Sequence, residues 1–172
     1  LHNEVVKKLG ANVELKNGYL KASLPENRFS GCQIKFPKVS VGATECAIMA
    51  SVLAKGTTEL INAAREPEIV DLGNCMNMAG AKISGLGQSR ILVEGVKKLN
   101  PISYSVVPDR IEAGSFAIAA AITKGEIDIK KTNFKDLRKF LKTLETTGTK
   151  VFYGENEIKI VGSTRLNSIN VA

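Results

Sequence analysis

Three short stretches contain the residues whose types and spacing could do chemistry. The first is KVSVGAT at positions 38–44, which opens an apolar, small-residue run. Ser40 is placed to cap a helix there, with Val41 and Gly42 offering backbone N–H groups in its first turn. Gly42 would let a ligand come close, and Lys38 stands just before the positive end of the helix. That combination suits an anion of the phosphate type. It is not a Walker A loop, which needs G-x-x-x-x-G-K-[ST]. On spacing alone the plainer reading is stronger: many helices open on a serine with a lysine nearby.

The second stretch, Arg65-Glu66-Pro67-Glu68, holds two carboxylates that could act as a base or orient a group. Its plainer reading is acids facing the positive end of a helix. The third, Pro108-Asp109-Arg110, offers a guanidinium fork for a carboxylate or phosphate. Asp109 as an ordinary helix cap explains it more simply.

Other chemistries lack material. Cys32, Cys46 and Cys75 are widely spaced with no C-x-x-C, and His2 is the only histidine. That pattern is neither a disulfide framework nor a zinc site, and it predicts reduced thiols and no metal. Cys46 and Cys75 fall in helical patterns, where cysteine is usually a small core residue. The 172 residues carry 24 Lys+Arg against 17 Asp+Glu, a net charge of +7. The basic residues are scattered in pairs such as Lys97-Lys98 and Lys130-Lys131, which predicts a solvated surface and not a nucleic-acid face. No apolar run approaches the roughly 20 residues of a membrane span, and LHNEVVKKLG lacks the layout of a signal peptide.

The elements that must position these residues recur along the chain. Gly10, Gly80 and Gly148 each end a helical pattern and precede strand-like residues, with spacings of 70 and 68. A second pair of similar segments, 47–56 and 117–125, repeats with Gly56 and Gly125 spaced by 69. The unit is therefore near 69 residues. Residues 40–54 predict a helix with Gly56 just past its end; Thr58–Ile61 predicts a strand. Glu66-Pro67-Glu68 opens the next helix, with Ile69, Leu72, Met76 and Ala79 as its apolar stripe. Lys82–Ser84 and Arg90–Glu94 form a hairpin.

The next unit predicts a strand at Tyr104–Val106, a helix from Ile111 to Ile122 stopped by Gly125, and a strand at Glu126–Ile129. A helix with the stripe Phe134, Leu137, Leu141 and Leu144 follows, then a hairpin with Gly154 in its turn. Residues 1–30 hold only one helix and a hairpin, so the chain opens inside a unit, as a cut product or fragment would. The fold class is α/β, built of repeated units that each bury helix faces on a sheet.

Four ordered stretches carry a resemblance: KVSVGATE at 38–45, NAAREPEIVD at 62–71, GAKISG at 80–85 and VPDRIEAG at 107–114. They resemble the UDP-N-acetylglucosamine 1-carboxyvinyltransferase branch of the enolpyruvyl transferase family, over the whole chain but less than half of the family's usual length. The resemblance implies βαβαββ units of the inside-out α/β barrel type, here incomplete. It assigns 1–107 to the later part of a first domain (partial unit 1–30, full unit 31–100) and 108–172 to the first unit of a second. It implies transfer of enolpyruvyl from phosphoenolpyruvate to the 3′-hydroxyl of UDP-N-acetylglucosamine. That reaction is the first committed step of peptidoglycan synthesis, and so serves cell shape and division in the bacterial cytoplasm. No metal or cofactor is needed, and the implied partners are these two small molecules, with no nucleic acid and no membrane.

By position, Leu1, Lys38, Ser40, Val41 and Gly42 fall to the nucleotide sugar, and Glu66, Glu68, Asp109 and Arg110 to the cleft or the domain crossing. His2 matches the family's Leu-His pair without an assigned role. The family's reactive cysteine, its general base and the arginines that close on phosphoenolpyruvate match nothing in these residues. The expectation is that this chain alone does not turn over, and that faces left open favour association. Two other readings stand beside this one: a non-catalytic polyanion-binding domain, and a sister transferase acting on shikimate 3-phosphate.

Overall fold

Three left-handed glycines set the plan of the fold. The computed structural model describes residues 1–25 and 27–171. Helices α1 (His2–Lys8), α3 (Pro67–Met78) and α5 (Phe134–Thr146) end just before Gly10, Gly80 and Gly148, whose φ angles are +103°, +98° and +93°. Each glycine N–H returns to a carbonyl three residues back, on Lys7, Asn77 and Glu145. After the first two, the N–H groups of Ala11 and Ala81 reach Val6 and Met76, completing the Schellman motif that satisfies helix-end carbonyls. A side chain at such a φ is strained, which is why glycine recurs there.

Each helix then turns into an antiparallel hairpin: β1 (Asn12–Lys16) with β2 (Tyr19–Ser23), β5 (Lys82–Ser84) with β6 (Arg90–Glu94), and β8 (Lys150–Tyr153) with β9 (Glu157–Val161). The register is the same in all three. The residue two after the glycine faces the end of the second strand, as Asn12↔Ser23, Lys82↔Glu94 and Lys150↔Val161.

The chain divides into two compact units, Leu1–Val106 and Val107–Ala172. In the first, β3 (Gln33–Lys35), α2 (Val41–Ser51), β4 (Thr57–Ile61), α3, β5 and β6 follow in βαβαββ order. The sheet order is β3-β4-β6-β5, with β3 parallel to β4 and the other neighbours antiparallel. Strand alternation puts Leu60, Ile91 and Val93 on the buried face, against Ile48 of α2 and Ile69 of α3. Val5 and Leu9 bring α1 into the same core. In the second unit, β7 (Glu126–Lys130), β9 and β8 make the sheet, and α4 (Arg110–Thr123) and α5 pack over it through Ala117, Ala121, Leu137 and Leu141. Ile111, Phe116, Ile118 and Ile122 of α4 remain exposed.

Three local expectations give way. Tyr104–Val106 forms no strand. A strand needs a ladder partner, and Tyr104 is instead held by its hydroxyl, which donates to Asp71 Oδ1 at 2.7 Å. Gly56 is not a helix C′ residue. Helix α2 stops at Ser51 because the next N–H groups leave the helical pattern: Ala54 N–H donates to the Ser51 carbonyl and Lys55 N–H to the Phe29 carbonyl, while Val96 N–H holds the Val52 carbonyl and the Arg28 guanidinium those of Leu53 and Ala54. Gly56, at φ +82°, instead leads into β4. In the second unit the left-handed residue at the end of α4 is Lys124, at φ +57°, and not Gly125.

Two substitutions test this packing. A Cβ at Gly95 would collide with the Ala54 carbonyl. Gly95→Ala is therefore expected to destabilise the protein by about 2–3 kcal/mol in a denaturant melt. Thr58 is fully buried, and its hydroxyl has no partner among the described residues. Thr58→Val, which keeps the shape and removes the unpaired group, is expected to leave stability equal or raise it by about 1 kcal/mol.

Candidate functional site

The candidate site is built at the start of α2. Phe36 ends the run from β3 by donating its N–H to Ile61. Pro37, Lys38 and Val39 follow on the surface. Ser40 is extended, at φ −151° and ψ 118°, and its Oγ accepts from Ala43 N–H at 3.4 Å as the N-cap of α2. The first turn therefore presents backbone N–H groups outward at the positive end of an 11-residue helix, with the exposed Lys38 ammonium two residues before the cap.

Helix α1 closes one side. A Cβ built on Gly42 would lie 3.1 Å from His2 Nε2 and 3.3 Å from its Cε1, so the imidazole occupies the space that a side chain at Gly42 would fill. Leu1 lines a cleft of about 220 Å³ together with Glu4, Lys8, Lys35 and Pro37. The structure thus brings Leu1 and His2, nearly 40 residues away in sequence, to the loop that carries Lys38, Ser40, Val41 and Gly42.

On the other side, Val39 shares an open cleft of about 440 Å³ with Arg65, Glu66 and Gly87. Glu66 is the N-cap of α3, but its carboxylate turns back to accept the Arg65 N–H at 2.8 Å and makes no bond to the helix. Pro67 occupies the first turn, and Glu68 is the acid of that turn, complementing the helix dipole. Asp109 and Arg110 lie in the second unit. There Asp109 Oδ1 accepts from Ile111 N–H at 2.7 Å and Glu112 N–H at 3.1 Å, the N-cap of α4, and Arg110 is the first residue of that helix.

Spacing alone did not single out Thr44. It is fully buried, donates to the Ser40 carbonyl at 2.8 Å and accepts the Ala64 N–H at 3.0 Å. A serine and a threonine four apart at a helix start were the available signal. No group of three or more His, Cys, Asp or Glu is clustered for a metal among the described residues, and none of their helices is long and apolar enough to cross a membrane.

The profile of the family described as EPSP synthase (3-phosphoshikimate 1-carboxyvinyltransferase) matches residues 1–172. Among curated proteins, UDP-N-acetylglucosamine 1-carboxyvinyltransferase of Orientia tsutsugamushi (strain Boryong) is 44% identical over 99% of this chain and 41% of its own length. The protein of the same name from Zymomonas mobilis is 44% identical over 100% of this chain and 40% of its own, and that from Rickettsia africae 45% over 99% and 41%. The chain spans about two fifths of the length of these relatives. Among solved structures, the enolpyruvyl transferase NikO from Streptomyces tendae matches with a TM-score of 0.79 at 20% identity, covering 96% of this chain and 42% of that one. EPSP synthase from Acinetobacter baumannii matches with a TM-score of 0.67 at 19% identity, covering 99% and 41%. These structures share the α/β fold of the chain.

Cys32 and Cys46 are not placed as nucleophiles. Burial pushes the Cys32 thiol above its ordinary pKa, with the Lys8 charge offsetting part of the rise, and burial raises Cys46 as well. A raised pKa leaves less thiolate at neutral pH. Alkylation by iodoacetamide at pH 7.5, followed by peptide mass spectrometry, is expected to label Cys32 and Cys46 more slowly than free cysteine. Labelling of either one faster than free cysteine would contradict this environment.

Proposed function

The chain belongs to the EPSP synthase (3-phosphoshikimate 1-carboxyvinyltransferase) family, and on that premise we propose that it carries the nucleotide-sugar-binding part of a UDP-N-acetylglucosamine enolpyruvyl transferase. The observation that carries the reading is the start of α2. A serine-capped helix end with a glycine in its first turn and an exposed lysine before it sits in a chain 44–45% identical to enzymes of that name. Backbone N–H groups at such an end hydrogen-bond phosphate oxygens, and a lysine adds a point charge.

In this reading Lys38, Ser40, Val41 and Gly42 hold the diphosphate, and Leu1 borders the nucleoside end. The acceptor sugar is thereby oriented for its 3′-hydroxyl to attack phosphoenolpyruvate. Glu66 and Glu68 belong to the cleft side, and Asp109 and Arg110 to the start of a second domain, of which residues 108–172 are the first repeat. The full enzyme acts in the bacterial cytoplasm on the first committed step of peptidoglycan synthesis, and so in cell shape and division. The exposed apolar residues of α4 support association of this segment with other repeats. Metal chemistry has no part in the reading.

Calorimetric titration of the 172-residue chain tests it. UDP-N-acetylglucosamine is expected to bind saturably, with shikimate 3-phosphate and RNA binding more weakly at 150 mM salt. Lys38→Ala is expected to weaken binding about tenfold, the scale of a hydrogen bond to a charged group. An unchanged affinity in Lys38→Ala, or tighter binding of shikimate 3-phosphate, would overturn the reading. The same chain mixed with both substrates is expected to release no phosphate, because the groups that must converge on phosphoenolpyruvate lie outside it.

A further inference from the structure

Thr44 differs from the other helical hydroxyls of this protein. Ser115 and Thr123, both exposed, and the half-buried Thr143 also donate to the carbonyl four residues back, at 2.8–3.0 Å. Thr44 makes the same back-bond to Ser40, is fully buried, and in addition accepts the Ala64 N–H from the loop ahead of α3. Its hydroxyl therefore both donates and accepts, and so spans two loops. One is Lys38–Ser40, which leads into α2. The other is Ala63-Ala64-Arg65, whose two alanines are buried, at 1% and 0% exposure, and whose arginine is exposed. The two loops border the same open cleft, from Val39 on one side and Arg65 and Glu66 on the other.

We propose that Thr44 is a positioning residue that joins these two loops into one rigid edge, so that an anionic ligand held at the start of α2 is also met by Arg65. The inference rests on the nucleotide-sugar reading above and extends it to two residues with no assigned part. The geometry explains why a buried hydroxyl is used. A backbone N–H deep in a loop needs a partner, and meeting it from the side chain that also fixes the helix cap ties the position of Arg65 to that of Ser40. Arg65 can then offer a planar fork of donors to a phosphate or sugar oxygen at the cleft. The Glu66 carboxylate accepts the Arg65 N–H and so stiffens that loop locally. Because Thr44 touches the ligand only through these loops, removing its hydroxyl should change how Arg65 contributes and leave the overall fold intact.

A double-mutant cycle on the 172-residue chain, titrated with UDP-N-acetylglucosamine, tests this. Arg65→Ala is expected to weaken binding about fivefold in the native background but less than about twofold in Thr44→Val, because the arm is already displaced there. Thr44→Val alone is expected to lose about tenfold, and Thr44→Ser, which keeps the hydroxyl, to stay within about threefold of the native chain. Hydrogen exchange is followed in parallel: Thr44→Val should speed exchange at the Ala64 amide, and Thr44→Ser should restore it. Additive losses, or an Ala64 amide as protected in Thr44→Val as in the native chain, would overturn the proposal. If Thr44→Val does not fold, Arg65→Ala decides, since unchanged affinity in that surface variant also overturns it. If the native chain binds no nucleotide sugar, the functional reading fails and the Arg65 arm of the proposal with it; the exchange comparison then decides whether Thr44 joins the loops.

Discussion

The fold depends on one backbone constraint. After each second helix of a unit, the chain must reverse into a hairpin within two residues while satisfying the carbonyls at the helix end. A left-handed glycine does both, at Gly10, Gly80 and Gly148. Because the reversal is the same each time, the register after it is the same. Ile91 and Val93 in β6 and Ile158 and Ile160 in β9 occupy equivalent positions, and all four are buried. The same register places Leu20 and Ala22 at those positions in β2, where they are exposed. Among the described residues β2 pairs only with β1, so no strand completes a sheet face there.

The candidate site follows from how α2 is held at its two ends. At its C-terminal end the Lys55 N–H turns to Phe29, and Arg28 and the Val96 N–H hold the carbonyls of the residues just past the helix. At its N-terminal end the Ser40 cap and the buried Thr44 hydroxyl fix the first turn against the neighbouring loop. Between those anchors Ile48, Ala43 and Ala47 are fully buried in the core of the first unit. A helix held this way cannot tilt its first turn freely, which suits a site where backbone N–H groups must meet an anion at fixed distances. Gly42 adds the last requirement. Without a Cβ it admits the His2 ring, and so the start of α1 stands beside the start of α2.

Much of this was legible as pattern. The repeat, the glycine-ended helices, the Pro67 start of α3, the Asp109 cap and the apolar stripe Leu137–Leu141–Leu144 all follow from local rules that act within a few residues. Two of the three misreadings depended on a partner. Tyr104–Val106 has strand-like residues, but a strand exists only beside another, and here the tyrosine hydroxyl finds Asp71. Gly56 looks like a helix stop, yet α2 ends before it, where the Lys55 N–H turns to Phe29, more than 20 residues earlier in the chain.

The sequence by itself determined the order of elements and singled out 38–44 as the candidate site. Helix caps, glycine conformations and apolar periodicity depend on near neighbours along the chain. Only the tertiary structure decided that His2 packs on Gly42, that Arg65 and Val39 border one cleft, and that Thr44 bonds to Ala64. Those contacts join residues 20 to 40 positions apart. They form because burying the sheet and helix faces of one unit leaves each loop a single place to go, and no local spacing encodes that place.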